Sequence, residues 1–223
     1  MLSRPSNGFI AGLLVGMVVV TILNLSGFRN ERATTHAVLT SDAAARAFVA
    51  DWSRMRNGMW AIDATFTRTT EDGATVTMPL HQAQQNPSSI RETDASADVV
   101  LNDRHYVCAT GIKGQKSCRD AGVTSSFADR AKVDVASISN DLLGAQRSYD
   151  VEQASEHCYS LFVRPDSTPD GQWGSKADVC FDSATGAPVH TRVYRPGGTD
   201  DVQTTSIRPT PRPDEIRLSG PIA

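Results

Sequence analysis

Apolar residues are spaced in three ways along the 223-residue chain, and each spacing predicts a different element. The first is an unbroken run. No charged residue falls between Arg4 and Arg29, and Phe9 to Leu25 is almost wholly apolar. At about 1.5 Å per residue, roughly 20 residues cross a hydrocarbon core, so Gly8–Phe28 has the length of a transmembrane helix. The second spacing is three and four. Ala44, Phe48, Trp52 and Met55 form one stripe on a helix expected from Ser41-Asp42 to Asn57-Gly58. Ser41 or Asp42 can cap its free amides and Gly58 can end it. The third spacing is two. Trp60, Ile62, Ala64 and Phe66 alternate with Asp63, Thr65 and Thr67. Glu71-Asp72-Gly73 then turns the chain, and Ala74, Val76, Met78 and Leu80 repeat the alternation. This is a hairpin with one apolar and one polar face.

Shorter signals continue the pattern. Ser88–Glu92 predicts a strand, and the runs at 99–101 and 105–108 flank Asn102-Asp103, a tight-turn dipeptide. A second helix is expected over Asp134–Leu143, closed by Gly144. Four strands follow, Arg147–Gln153, Cys158–Val163, Ala177–Phe181 and Val189–Tyr194. Pro196-Gly197-Gly198 turns into a long strand, Asp201–Arg208, and Glu215–Leu218 reads as one more edge strand. The order predicts an α+β fold. A curved antiparallel sheet, a half-barrel, is covered on one face by helices and preceded by an N-terminal transmembrane helix. The expected partition is a short tail 1–7, a signal anchor 8–28, a linker 29–40, an extracytoplasmic domain 41–218 and a tail 219–223.

The end of the apolar run decides how that anchor is processed. A secretory core is shorter, about 7–15 residues, and ends in a small-x-small site. Here the run passes into Gly27-Phe28-Arg29-Asn30-Glu31-Arg32, with Thr35-His36-Ala37 as the nearest weak site. An uncleaved anchor is expected, with secretion after cleavage as the alternative. Arginines flank both ends, so charge does not fix orientation. Gly8, Gly12 and Gly16 at four-residue spacing offer a face for homodimer packing in the membrane.

Cysteine usage supplies the compartment. Cys108, Cys118, Cys158 and Cys180 contain no C-x-x-C pair. Three pairings are possible, of which the local one, Cys108–Cys118 with Cys158–Cys180, joins neighbouring strands. Such bridges persist outside a reducing cytosol. With 22 basic and 25 acidic side chains, the net charge of −3 gives no basic face for nucleic acid.

Candidate chemistry is sparse. His36, His81, His105, His157 and His190 are scattered, with no i, i+4 pair and no H-E-x-x-H, so no metal is expected. There is no Gly-x-Ser-x-Gly elbow and no P-loop, and paired acids sit at turns. Neither an enzyme nor a cofactor is expected. The apolar faces remain. Trp60, Ile62, Phe66, Val76, Met78 and Leu80 either line a slot between sheet and helix or fill an ordinary core.

Three stretches resemble the lipoprotein-carrier superfamily of LolA, the LppX/LprG group and the N-terminal domain of RseB. They are the amphipathic helix leading into 60–68, the hairpin 98–108, and 178–192 with its Asp182, Thr185-Gly186 turn and Pro188. The resemblance covers about residues 41–218 and implies an open half-barrel covered by helices. It implies binding of a lipid or lipoprotein, or of an envelope protein against a filled core. The disulfides and fixed anchor depart from the freely diffusing carrier LolA and suit a tethered binder.

Overall fold

The structure, a computed structural model, describes residues 41–111, 114–168 and 172–222. The apolar segment 8–28, the linker and the Gly8, Gly12, Gly16 face lie outside the described residues. Among the described residues no helix is long and apolar enough to cross a membrane.

Helix α1 spans Ser41–Asn57 and buries Ala44, Phe48 and Met55 of the expected stripe, with Trp52 half-buried. Six strands follow as hairpins: β1 Trp60–Thr70, β2 Thr75–Gln85, β3 Ser88–Thr93, β4 Ser96–Leu101, β5 Arg104–Thr110 and β6 Lys116–Val123. Asn102 and Asp103 both have positive φ, 50° and 61°, as the tight turn between β4 and β5 requires. Helix α2 spans Phe127–Leu143, and five strands complete the chain: β7 Tyr149–Ser155, β8 Cys158–Val163, β9 Lys176–Phe181, β10 Pro188–Arg195 and β11 Gly198–Arg208.

All eleven strands form one open antiparallel sheet, ordered β6-β5-β4-β3-β2-β1-β11-β10-β9-β8-β7. The chain walks outward from β1 to β6, enters again at the far edge with β7, and walks back. Only the β1–β11 pairing joins strands remote in sequence, with Phe66 opposite Val202 and Ile62 opposite Ile207.

Alternation along β1 divides the sheet into two faces. Trp60, Ile62 and Ala64 join the large core with α1, α2 and β7–β9. Ala61 points the other way, into a small cluster with Ala83, Ile90, Val99, Cys108 and Cys118. Phe48 is the hub of the large core. Its ring meets Trp52, Tyr159, Trp173 and Phe181 at 5.3–6.0 Å, three of them edge-on. Residues 41–222 belong to one compact unit, which contains both disulfides, the whole described sheet and both hydrophobic clusters.

Three expectations are corrected. The second helix starts two turns earlier than Asp134, because Ser126 caps it by accepting from the Asp129 amide. A strand at 116–123 was not expected. It pairs with β5 in the register that places Cys118 opposite Cys108. Glu215–Leu218 is not an edge strand. Ile216 and Leu218 pack on the small cluster, and the Cys118 amide donates to the Pro221 carbonyl at 2.8 Å. Residues 209–222 therefore form a strap across the back of the sheet that reaches the edge at β6.

Candidate functional site

The helix-covered face is not filled along its whole width. A cavity of about 530 Å³ opens between α1 and the sheet. Trp52 and Met55 of α1 line it from above, Trp60 and Phe66 come from β1, and Val193 and Val202 come from β10 and β11. Trp173, on the loop before β9, forms part of its wall. The chain has three tryptophans, and all three line this cavity.

A second cavity of about 480 Å³ lies on the same face over β2–β5, lined by Met78, Leu80, Ala97 and Val107 among others. Phe66, Arg91 and Asp98 line both cavities, so the two meet there. The register explains the apolar side of this trough. Phe66 stands opposite Met78, and Ala64 opposite Leu80. The polar floor follows the next row, where Gln82, Arg91 and Asp98 are cross-strand neighbours.

The rim of the first cavity is held rigidly. Gln84, almost fully buried, donates to the carbonyls of Met55 and Gly58 at 2.5 and 2.7 Å. The Trp60 indole donates to the same Met55 carbonyl at 3.1 Å. These bonds satisfy helix-end acceptors and fix the end of α1 over β1 and β2. The Trp52 Nε1 atom is buried and has no acceptor among the described residues.

The structure distributes the six expected lining residues unevenly. Trp60, Phe66, Met78 and Leu80 line the trough. Ile62 is fully buried in the large core and lines neither cavity, because it lies beneath the helices. Val76 is 56% exposed toward the β1–β2 turn and lines neither cavity. Residues the sequence did not single out complete the site: Trp173, Arg91, Asp98, Val193 and Val202. Only the β1–β11 closure brings Val202 opposite Phe66 and β10, with Val193, to the same cavity.

A second polar cluster has the composition of a catalytic group, but its geometry is that of a clamp. Asp51 of α1 is 7% exposed. Its Oδ2 lies 2.8 Å from His157 Nδ1 and accepts from the Tyr159 hydroxyl at 2.7 Å, while Oδ1 accepts from Arg54 at 3.0 Å. Burial pushes the Tyr159 phenol up, and its bond to the Asp51 carboxylate adds to that. The phenol is thus held protonated as a donor. Arg54 also donates to the Ser183 carbonyl at 2.9 Å. With both carboxylate oxygens engaged, the cluster fastens α1 to the β7–β8 and β9–β10 turns. In the latter turn Asp182 accepts from the Thr185 hydroxyl and amide, which holds its pKa below the usual carboxylate value.

The back of the sheet carries a charged recess of about 380 Å³ beneath the strap. Asp63 accepts from Arg208 and Ser206 at 2.8 Å each and lies 2.9 Å from His81. The Arg208 bond above all holds the Asp63 carboxyl well below its ordinary range. Arg208 also donates to Glu215 at 2.6 Å, so one guanidinium joins β1, β11 and the strap. Among the described residues no cluster of His, Cys, Asp or Glu could hold a metal ion.

The cysteines pair locally, Cys108–Cys118 and Cys158–Cys180, each between directly opposed residues of adjacent strands. The first bridge is fully buried and the second half-buried. Disulfides of this kind point to an extracytoplasmic location.

Comparison with known proteins gives likeness in structure alone. No family model matches the chain. No curated protein matches it in sequence. A LolA superfamily protein from Nitrosomonas europaea is 10% identical with a TM-score of 0.32, over 81% of this chain and 98% of that one. LprF from Mycobacterium bovis is 13% identical with a TM-score of 0.37, over 81% and 99%. The MucA/MucB complex from Pseudomonas aeruginosa gives 13% and 0.42, over 79% of this chain and 61% of that one. The structural neighbours of this chain are therefore LolA-superfamily, MucB and LprF proteins, all at low sequence identity.

Proposed function

We propose that residues 41–222 form an extracytoplasmic binding domain whose trough takes the apolar part of a lipid or a lipoprotein, with segment 8–28 tethering it to the membrane. One observation carries this reading. Two cavities of about 530 and 480 Å³ meet on the sheet face where a packed core would otherwise continue. Each is within the usual size of a small-molecule site, and their walls combine aromatic and aliphatic side chains with a comparable number of polar ones.

The position of the tryptophans supplies a test. Titration of the 41–223 fragment with a lipid brominated along its acyl chain should quench the fluorescence of Trp52, Trp60 and Trp173. Ser89 lines the first cavity from β3. Ser89→Phe should fill part of the cavity without adding a reporter and weaken lipid binding, read by this quenching, about tenfold, with the disulfides and melting temperature unchanged. Native mass spectrometry of the same fragment gives the second reading. An added mass of lipid size supports the proposal. No quenching and a bare native mass would sink it and favour a protein segment in the trough, a reading that the polar floor of Gln82, Arg91 and Asp98 would serve.

A further inference from the structure

The charged side chains of the trough are unevenly paired, and the one arginine among them that is exposed to water is Arg91. Three arginines line the trough. Arg56 is bound to Asp134 at 2.6 Å. Arg195 is bound to Asp200 at 3.0 Å and donates to the Gln172 carbonyl at 2.8 Å. Arg91 makes no ion pair or hydrogen bond among the described residues. Its cross-strand neighbour Asp98 instead sits 3.1 Å from His105 Nε2.

The position of Arg91 matters as much as its freedom. It lines both cavities from β3, as Phe66 does from β1. An amphiphile lying in the trough would place apolar chain against Phe66, Met78 and Leu80 and have one cation within reach of its polar end. A guanidinium meets a carboxylate or phosphate through two parallel N–H bonds, which a neutral hydroxyl cannot reproduce. The remaining charge at this point is Asp98, which disfavours an anion and is itself engaged by His105.

We propose that the ligand of the trough is an anionic amphiphile whose oxoacid group is received by Arg91 at the junction of the two cavities. This rests on the trough being a binding site and adds the charge class of what it binds. Neutral chains of the same length are then poorer ligands. Arg91 sets that preference, and Asp98 moderates it.

The test uses the 41–223 fragment and three probes of equal chain length: dodecanoic acid, dodecan-1-ol and dodecyl phosphate. They are titrated against tryptophan fluorescence at about pH 8, where the carboxylate is ionised. The wild type should bind the two anions about tenfold more tightly than the alcohol. Arg91→Gln should bring the ratio to about one with affinity for the alcohol unchanged, and Arg91→Lys should restore part of it. Asp98→Asn should raise affinity for both anions. If acid and phosphate differ, the tighter names the head group. An unchanged ratio in Arg91→Gln, or a wild type that does not prefer anions, overturns the proposal. If no probe binds, including the alcohol, the trough is not a lipid site and both readings fall together.

Discussion

Asp51 shows how one side chain can hold several elements. It is the buried acceptor for Arg54 and Tyr159 and lies 2.8 Å from His157. Removing it leaves the buried Tyr159 phenol without its acceptor and takes one partner from the part-exposed Arg54 and His157. Asp51→Ala should therefore cost about 2 kcal/mol in urea unfolding, mostly from the orphaned buried phenol, since solvent screens the exposed guanidinium. Tyr159→Phe should cost about 1–2 kcal/mol, because only one bond is lost and the carboxylate keeps its other partners. Asp63 makes a prediction about pH. Its folded pKa is depressed by Arg208, so its contribution is present above the unfolded value of about 4 and is lost as pH falls through the folded value. Asp182 is shifted the same way by Thr185. Asp201 is also lowered, since bonds from Arg192 and His190 outweigh the burial that opposes them. The melting temperature should fall on acidification below about pH 4, and Asp63→Asn should flatten part of that slope. An unchanged slope would mean that the Arg208 contact holds nothing in solution.

At the scale of elements, legibility followed periodicity. Helix α1 was readable because Ala44, Phe48 and Met55 fall on one stripe that the core then buries. The first turns of α2 were not, because its buried residues are few: Phe127, Ala131, Ile138 and Leu142, with Val133 left exposed. What starts that helix is the Ser126 cap, and Ser126→Ala should cost about 1 kcal/mol, measured by thermal unfolding. Strand β6 was missed for a related reason. Lys116-Ser-Cys-Arg-Asp-Ala-Gly-Val123 has little β-propensity, and its pairing with β5 and its disulfide supply what composition does not. The two bridges differ in exposure. Cys108–Cys118 is sealed by the strap, while Cys158–Cys180 is half-buried. Under graded dithiothreitol, alkylation read by mass spectrometry should label Cys158 and Cys180 first. Labelling in the reverse order would mean that the strap does not shield the first bridge.

At the scale of the molecule, the decisive event is the closure of β11 on β1. Before it, Phe66 has hairpin neighbours on one side only. After it, Val202 stands opposite, Thr191 lies beyond, and the first cavity has a floor. Gly198 makes the closure possible at its far end. Its φ is +145° and a Cβ there would collide with the Thr69 backbone, so Gly198→Ala should loosen this seam. Amide hydrogen exchange in β1 and β11 should speed up, while β4 and β5 stay protected. Uniform change across the sheet would show that the seam does not open on its own.

Local sequence was enough for the β1–β2 and β4–β5 hairpins, the first helix and the two-faced character of β1, because each depends on residues a few positions apart, while the choice among three cysteine pairings waited for the β5–β6 and β8–β9 registers. It placed Trp60, Phe66, Met78 and Leu80 on one face by alternation alone. It could not exclude Ile62 or Val76, since alternation reports the face and not the distance from a covering helix. It could not find Arg91, Trp173 or Val202 as partners in one trough. Those residues are far apart in the chain and meet only through strand order. Strand order is set by how the whole apolar surface is buried, which no single segment encodes.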